Sequence, residues 1–346
     1  MRSGVVWKTE VRANAPRVYT RFARLALVVV ALALGCSETR NLGNSVPHGD
    51  LPVDDRNPIL LTNDGAFDNW QGEYAVLLAN GGGPKLAGII VSTSPNWPNL
   101  DTNVAGWRAM VKAARDSGLH DIPDPMASTG PPLTAPASGR IDDTTPNRSE
   151  GAHLIIDTSA ALSLPYRPLV VVTGGRLTDV ADAYLTDSTV TDRVVVVSSL
   201  GSTTATGAAM GAPNGEMDPW ADAIVTAHFR FIQVSAFYDQ TADASSSLLA
   251  NRPANPFGDW IATKQPSIWN LAQAADQVGV VAVGIPSFVT AVDSVSVGGS
   301  ISAGASAGPD LVNDRAGSLL VVTGCVGATA TDRFWDLLRD PSIFHP

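Results

Sequence analysis

Six short apolar runs recur along the chain, each with the length of one β-strand. They are mostly rich in Val, Ile and Leu and cover residues 58–62, 86–92, 168–174, 192–199, 230–236 and 318–324. Near-continuous apolar runs of this length are typical of strands that are covered on both faces. They therefore predict the strands of a buried sheet.

Segments with a helical spacing of apolar residues separate these runs. They cover residues 70–80, 102–118, 150–163, 178–186, 218–228, 268–283 and 330–339. Such alternation predicts an α/β fold with a doubly wound, mainly parallel β-sheet flanked by helices. Two stretches rich in Gly, Pro, Ser and Thr, 124–149 and 292–309, show neither period and are predicted to be surface insertions.

Composition and charge restrict the partners that the protein can have. The chain has 346 residues, of which 45% are hydrophobic, and its net charge is −10. Because phosphate binding needs clustered Lys and Arg, we expect no nucleic-acid partner. An acidic surface is compatible with a small-molecule ligand or a cation site.

The N-terminus carries the pattern of an export signal. Arg17, Arg21 and Arg24 precede the apolar run LALVVVALALG, which is too short to span a bilayer comfortably. The run ends in LALGC, which resembles the lipobox of bacterial lipoproteins and implies lipidation of Cys36. A plain signal peptide and an uncleaved anchor are the alternatives.

The lipobox resemblance implies a location and a division of the chain. Residues 1–35 would be the signal peptide, 36–57 the lipidated cysteine with a flexible tether, and 58–346 the folded domain. The protein would sit in the bacterial cell envelope, at the outer membrane or the periplasmic face, held to the membrane through the N-terminal lipid only. Lipidation of Cys36 would leave Cys325 as the one other cysteine and exclude an intrachain disulfide.

Polar residues follow the first predicted strand in the stretch ILLTNDGAFDNW. Asp64 and Asp68 are four residues apart, with Gly65 between them and Asn69 directly after the second acid. A glycine-containing turn lets several oxygens converge, as a hard cation such as Ca²⁺ requires. Asp and Asn are also common in ordinary turns, so the local pattern leaves both interpretations open.

Four segments in order resemble motifs of the inosine-uridine preferring nucleoside hydrolase family. The segment 62–69 is similar to the family's opening motif D-x-D-x-x-x-D-D, with Thr62 at the first aspartate. The others are GLHDIP (118–123), PLVVVTGGRLTDVADAYL (168–185) and NGEMDPWADAIV (214–225). The resemblance implies the nucleoside hydrolase-like fold and a Ca²⁺-dependent enzyme that hydrolyses the N-ribosyl bond of a nucleoside or a related compound.

The resemblance assigns roles to individual residues. Asp64 matches the aspartate that binds the metal and serves as general base, and Asp68 matches the one that contacts the ribose hydroxyls. Thr173 matches the threonine whose carbonyl binds the metal, and Asn214 matches an asparagine that binds the sugar. Asp276, in AADQVGVVAV, is the best match to the late metal aspartate.

Several positions depart from the family pattern. Asn69 stands where the family has a bidentate metal aspartate, so the site would bind Ca²⁺ through one oxygen there and more weakly. Ala275 replaces the histidine that would protonate the leaving base, a step typically worth about 10²–10⁴ in rate. Ala212 falls at a sugar-contacting glutamate, for which Glu216 could compensate.

Trp97 and the function of the protein each have more than one interpretation. Trp97 follows a predicted strand and would either stack on a base or sugar or pack beneath its loop. The leading hypothesis is a lipid-anchored, Ca²⁺-dependent N-glycosidase, with impaired activity if the departures matter. The alternatives are a non-catalytic surface lipoprotein of the same fold that binds a nucleoside, sugar or partner, and a purely structural lipoprotein. The resemblance also implies a homo-oligomer.

Overall fold

The apolar runs form the centre of one twisted sheet. The computed structural model describes residues 46–47, 51–65, 70–199, 213–234, 241, 246–268, 276–299, 305 and 308–344. The strands are β1 (Val46–Pro47), β2 (Ile59–Asn63), β3 (Leu86–Val91), β4 (Pro125–Ala127), β5 (Leu169–Gly174), β6 (Val194–Ser199), β7 (Arg230–Val234), β8 (Val289–Val297), β9 (Leu311–Asn313) and β10 (Leu319–Cys325). All six predicted strands are confirmed within the described residues.

The sheet is mainly parallel, as predicted. Its strand order is β1-β8-β10-β7-β6-β5-β2-β3-β4, and β9 also pairs with β8. The pairings from β10 to β4 are parallel. The pairings of β8 with β10, β1 and β9 are antiparallel and form one margin of the sheet.

Helices follow most strands and cover both faces. They are α1 (Trp70–Asn80), α2 (Leu100–Asp116), α3 (Glu150–Leu162), α4 (Thr178–Thr186), α5 (Pro213–Glu216), α6 (Pro219–His228), α7 (Ser246–Ala250), α8 (Pro256–Ile268), α9 (Gln277–Gly284) and α10 (Gly327–Arg339). Side-chain oxygens cap four N-termini in the described part of the chain: Asn99 accepts from Thr102 N, Ser149 from Ala152 N, Asp218 from Ala221 N, and Asn255 from Gly258 N. Such caps satisfy backbone N–H groups that the helix leaves without partners.

The core has two halves, one on each face of the sheet. Along β5, Val170 and Val172 face the half formed with α1, α2, α9 and α10, whereas Leu169 and Val171 face the half formed with α3, α4 and α6. This alternation is the period of two that a strand imposes on its side chains. Helix α9 is buried along its whole length, because it crosses the first half with almost no polar side chain.

Several elements differ from the predictions. Residues 125–127 form β4 and residues 292–297 belong to β8, so parts of both predicted surface insertions lie in the sheet. In the described part of the segment 268–283, residue 268 ends α8 and residues 277–283 belong to α9. The pattern does not predict α5, α7 or α8. Strand β8 was missed because its side chains are mostly half-buried, so its sequence VTAVDSVSV lacks the apolar run of a central strand.

The folded part begins earlier than the predicted tether would allow. Val46 pairs with Val292 and Pro47 with Ala291, which adds a short strand to the free edge of β8. Further along, Asn57 is buried and its side-chain amide donates to the carbonyl of Pro168. An edge strand exposes backbone N–H and C=O groups that have no partner in the sheet. Residues 46–47 pair with such groups of β8 and thereby join the folded domain.

Two predictions concern the N-terminus and the membrane. The signal peptide and Cys36 lie outside the described residues and remain predictions. Within the described part of the chain, no helix combines the length and the apolar character needed to cross a bilayer.

Candidate functional site

The candidate site is built on the last residues of three neighbouring parallel strands. β6 ends at Ser199, β5 at Gly174 and β2 at Asn63, and these strands are adjacent in the sheet. Asn63 lies directly opposite Gly174 in the β2–β5 register. Loops that follow the carboxyl ends of adjacent parallel strands form the usual ligand crevice of such sheets.

Asp64 is the first residue beyond β2, and it is held in a tight turn. Its residue is 4% exposed. The Oδ1 of Asn63 accepts from Gly65 N at 2.8 Å, which closes the turn around Asp64. From outside, Asn103 Nδ2 donates to the Asp64 carbonyl at 2.7 Å, and Trp107 Nε1 donates to the Gly65 carbonyl at 2.8 Å.

A glycine pair at the end of β5 lets two acids lie against the same stretch of backbone, one at each glycine. A Cβ added at Gly175 would lie 3.1 Å from the Cβ of Asp64, and one at Gly174 would lie 2.6 Å from the Cβ of Asp276. Both distances are shorter than ordinary carbon contacts, so side chains at these two positions would displace the acids. The sequence TGG is therefore what brings Asp64 and Asp276 against the same stretch of backbone.

The carboxyl group of Asp276 accepts hydrogen bonds from two side-chain amides. Its Oδ2 accepts from Asn63 Nδ2 at 3.3 Å, and its Oδ1 accepts from Asn214 Nδ2 at 3.1 Å. The Asn214 amide also donates to the Ser199 carbonyl at 2.6 Å. Hydrogen bonds of this kind stabilise the ionised carboxylate and fix its plane.

Ser199 attaches Asp276 and helix α9 to the sheet. Its hydroxyl donates to the Asp276 carbonyl at 2.7 Å and accepts from Gly279 N at 3.0 Å. Asp276 is thereby fixed at the N-terminus of a fully buried helix. A Cβ at Gly279 would lie 2.8 Å from the Ser199 hydroxyl oxygen, so this contact requires glycine.

Thr173 and Trp97 lie beside this centre in different ways. Thr173 is fully buried in β5, and its hydroxyl donates to Ser198 Oγ at 3.1 Å. Trp97 is half-buried in the loop after β3, where its carbonyl accepts from Asn103 Nδ2 at 3.0 Å. Since Asn103 also holds the Asp64 carbonyl, the Trp97 loop is tied directly to the Asp64 turn.

Some predicted site residues lie outside the described part of the chain. These are Asp68, Asn69, Ala212 and Ala275. Glu216, the predicted substitute for a glutamate at position 212, is exposed at the end of α5. The structure therefore brings together Asp64, Thr173, Asn214 and Asp276 and leaves the roles of Asp68 and Asn69 as predictions.

The three described histidines do not take part in the site. His120, His153 and His228 are all exposed, and the ring of His228 stacks on Tyr184 at a centroid distance of 4.1 Å. They fit the interpretation of surface or helix-end histidines better than that of a ligand or an acid. Among the described residues, none supplies a histidine close to Asp276.

Arg176 is a buried cation that sequence reasoning missed. It is 5% exposed, and its Nη2 donates to the Gly130 carbonyl at 3.2 Å and to Thr93 Oγ1 at 3.4 Å. Burial lowers the pKa of Arg176, while the carboxylates of Asp179, Asp218 and Asp64 oppose that shift. Arg176 therefore links the loops after β3 and β4 to the strand that ends beside Asp64.

Asn63 and Ser199 were also missed, for different reasons. Asn63 falls at the variable position of the opening motif, so the family resemblance gives it no role. Ser199 is one of many serines at strand ends. Its position as the last residue of a predicted strand was visible, but its contact with a helix 77 residues later was not.

The described donors fit Ca²⁺ in chemical type. Asp64 and Asp276 offer carboxylate oxygens and Thr173 a backbone carbonyl, and hard cations prefer oxygen ligands of these kinds. Ca²⁺ takes about six to eight oxygens, so these residues would form part of a coordination shell. Within the described ranges, no three side chains of His, Cys, Asp or Glu group as a metal cluster.

A separate cavity of about 830 Å³ lies away from these residues. It is lined by the segment 51–57, by Tyr166 and Arg167, by Ala282 and Pro286, and by residues 289–292. None of its described lining residues belongs to the predicted site.

Comparison with known proteins gives matches at the level of structure. No family model matches the sequence, and a search of curated proteins gave no match. A plant nucleoside hydrolase aligns with a TM-score of 0.56 and 16% identity over 84% of this chain and 99% of that one. A purine-preferring ribonucleoside hydrolase from Gardnerella vaginalis aligns with a TM-score of 0.54 and 15% identity over 84% and 99%.

A third solved structure is similar to the same extent. The inosine-uridine preferring nucleoside hydrolase from Bacillus anthracis aligns with a TM-score of 0.51 and 16% identity over 83% of this chain and 99% of that one. Nearly the whole of each of these chains is thus matched, and at this low identity the structural alignment shows the fold alone. The protein has the nucleoside hydrolase-like fold.

Proposed function

We propose that the protein hydrolyses the N-ribosyl bond of a nucleoside or a related ribosyl compound, with Asp64 as the general base. The observation that carries the proposal is the convergence of Asp64 and Asp276 on the glycine pair that ends β5. Two buried acids placed beside a strand-end crevice are suited to binding a hard cation and activating a water. The fold is that of enzymes that cleave this bond.

Asp64, Thr173 and Asp276 would hold a Ca²⁺ ion, with Asn69 as a further ligand. Bound there, Ca²⁺ would lower the pKa of a water molecule and orient it. The carboxylate of Asp64 would accept the proton from that water. The turn closed by Asn63 and the bond from Asn103 would keep this carboxylate in place.

The other residues of the site would bind the sugar. Asp68 would accept hydrogen bonds from ribose hydroxyls, and Asn214 would contact the sugar from the side of Asp276. Trp97 would cover the leaving group, because its loop is tied to the Asp64 turn through Asn103. Burial of these groups would exclude bulk water and strengthen their polar contacts.

A non-catalytic binding function is the second candidate. The absence of a histidine near Asp276 among the described residues favours it, since a purine or pyrimidine leaves poorly without protonation. The same site would then bind a nucleoside or sugar at the cell surface without cleaving it. Lipidation at Cys36, the envelope location and a homo-oligomer are part of both proposals.

The test is release of free base and ribose from a broad panel of nucleosides, measured by chromatography at high protein concentration. Product release by the wild type is measured in Ca²⁺ and in EDTA. It is also compared with release by the Asp64→Asn variant. The hydrolase proposal expects product that depends on Ca²⁺ and falls by at least about 10²-fold in the variant. Absence of product, together with nucleoside binding by calorimetry, would favour the second candidate.

A further inference from the structure

Asn63 is fully buried, and its amide joins two halves of the site. Its Oδ1 accepts from Gly65 N at 2.8 Å, which closes the turn around Asp64. Its Nδ2 donates to Asp276 Oδ2 at 3.3 Å and to Gln71 Oε1 at 3.2 Å. One side chain thus contacts both the Asp64 turn and an acid that is 213 residues away in sequence.

The direction of this amide is fixed by its neighbours. Gln71 Nε2 donates to the Val172 carbonyl at 3.3 Å, so Gln71 must present its oxygen to Asn63. Asn63 therefore presents its NH₂ group to Gln71, and the second hydrogen of that group reaches Asp276. The Gly65 N–H on the other side requires an oxygen, which agrees with the same orientation.

We propose that Asn63 is a positioning residue that sets the placement of Asp276 relative to Asp64. It acts through these two acids and does not itself contact the substrate. Its importance for the reaction rests on the proposed function, whereas its coupling to Asp276 does not. Removing a side chain that holds a metal ligand in place typically lowers metal affinity or activity by about 10–100-fold.

The chemistry explains why asparagine is suited to this position. Aspartate has the same shape but no hydrogens, so Gln71 Oε1 and Asp276 Oδ2 would face another acceptor. It would also add a like charge beside Asp276 in a buried setting, which is unfavourable. Leucine would leave both acceptors and the Gly65 N–H without this partner.

The first readout is a double-mutant cycle on stability. Unfolding by denaturant is measured for wild type, Asn63→Ala, Asp276→Ala and the double variant. If Asn63 holds Asp276, the two substitutions should not act independently. The unfolding equilibrium constant of the double variant should differ by at least about fivefold from the value expected when the two single effects are multiplied. If the alanine variants do not fold, Asn63→Ser and Asp276→Asn, which keep more of the packing, are used in the same cycle.

Asn57, near the opposite end of strand β2 from Asn63, provides a matched control. Asn57 precedes β2, is 4% exposed, and donates from Nδ2 to the Pro168 carbonyl at 2.8 Å. Asn57→Ala should lower stability as any lost buried hydrogen bond does. Asn57→Ala and Asp276→Ala should affect the unfolding equilibrium constant independently of each other, because Asn57 lies at the other end of the strand.

The second readout is Ca²⁺ affinity by calorimetry. We expect Asn63→Ala to weaken binding about 10–100-fold and Asn57→Ala to leave it unchanged. Absence of coupling in the cycle would overturn the proposal, and so would unchanged affinity in Asn63→Ala when wild type binds Ca²⁺. Coupling in a protein that neither binds Ca²⁺ nor releases ribose would support the positioning role and count against the proposed function.

Discussion

Asp179 and Asp182 share one serine hydroxyl. The Ser149 Oγ lies 2.8 Å from Asp179 Oδ1 and 2.8 Å from Asp182 Oδ2. A serine hydroxyl has one hydrogen and can donate to only one of these oxygens. The other contact is a hydrogen bond only if one of the two carboxyl groups carries a proton.

The surroundings favour Asp179 as the carboxyl group that carries this proton. Asp182 accepts from the backbone N–H groups of Arg148 and Ser149, at 3.0 and 2.7 Å, so both of its oxygens already act as acceptors. Burial, reinforced by the neighbouring Asp182, raises the pKa of Asp179, although bonds from Ser128 and Ser149 and the charge of Arg176 act in the opposite direction. A protonated Asp179 can donate to the Ser149 oxygen and complete the network.

We predict that Asp179→Asn keeps the stability of the wild type at pH 8 or increases it. An asparagine amide whose NH₂ group takes the place of Oδ1 has two hydrogens and can donate to both the Ser149 and the Ser128 hydroxyl oxygens. Asp182→Asn should lose about 2 kcal/mol, because one of the two backbone donors would then face an NH₂ group and lose its acceptor. Denaturant unfolding of the two variants measures this difference, and equal losses in both would contradict the assignment.

Asp179 should also give stability a defined dependence on pH. A carboxyl group whose pKa is raised in the folded state binds more protons than in the unfolded state, so its contribution is fully present below the unfolded value of about 3.9. That contribution is lost as the pH rises through the folded pKa. The difference in unfolding free energy between wild type and Asp179→Asn should therefore shift against wild type from pH 4 to pH 8. A difference that stays constant over this range would contradict the raised pKa.

Gly174→Ala should damage the site more than the fold. The added Cβ would lie 2.6 Å from the Cβ of Asp276 and 2.8 Å from Asn63 Nδ2, so both side chains must move. Overpacking of this kind typically costs about 1–3 kcal/mol. We expect Ca²⁺ affinity to fall at least tenfold, or about 1.4 kcal/mol, measured by calorimetry.

Gly88→Ala is the control for this change. Its added Cβ would lie 3.1 Å from Leu60 Cδ1 and 3.3 Å from Leu154 Cδ2, where flexible side chains can adjust. Gly88 is in β3 and faces the core rather than the site. A loss of cation affinity in Gly88→Ala equal to that in Gly174→Ala would show that general destabilisation, and not displacement of Asp276, is the cause.

Trp97→Ala distinguishes stacking on a ligand from packing beneath the loop. Stacking of an aromatic side chain on a base is worth about 1–3 kcal/mol, so KM for a cleaved nucleoside should rise by roughly 5- to 150-fold. Trp97→Phe should restore part of the affinity. A variant with unchanged KM and a lowered melting temperature would identify Trp97 as a packing residue.

The sequence predicted the central strands because burial on both faces leaves an unmistakable apolar run. Val194 to Val197 are all fully buried, and the prediction of this strand needed no knowledge of its neighbours. Strand β8 and helix α8 carry mixed sequences whose burial depends on what packs against them. Local patterns do not contain that information.

The site shows the same limit. The sequence indicates Asp64, Thr173 and Asn214 as candidates because each follows or ends a recognisable element of the family motifs. The contact between Asn63 and Asp276 joins residues 213 positions apart and depends on the orientation of Gln71. Hydrogen bonds of this kind follow from the packed structure and leave no pattern in the sequence.

The most direct test of the account is a calorimetric titration of Ca²⁺ into the chain lacking residues 1–36, beside Asp64→Ala and Asp276→Ala. Asp121→Ala serves as a control, because Asp121 is an exposed acid in a turn. The account predicts one site in wild type and in the control, and a loss of its heat in both site variants. Absence of binding in wild type, or equal binding in all four proteins, would contradict a cation site formed by Asp64 and Asp276.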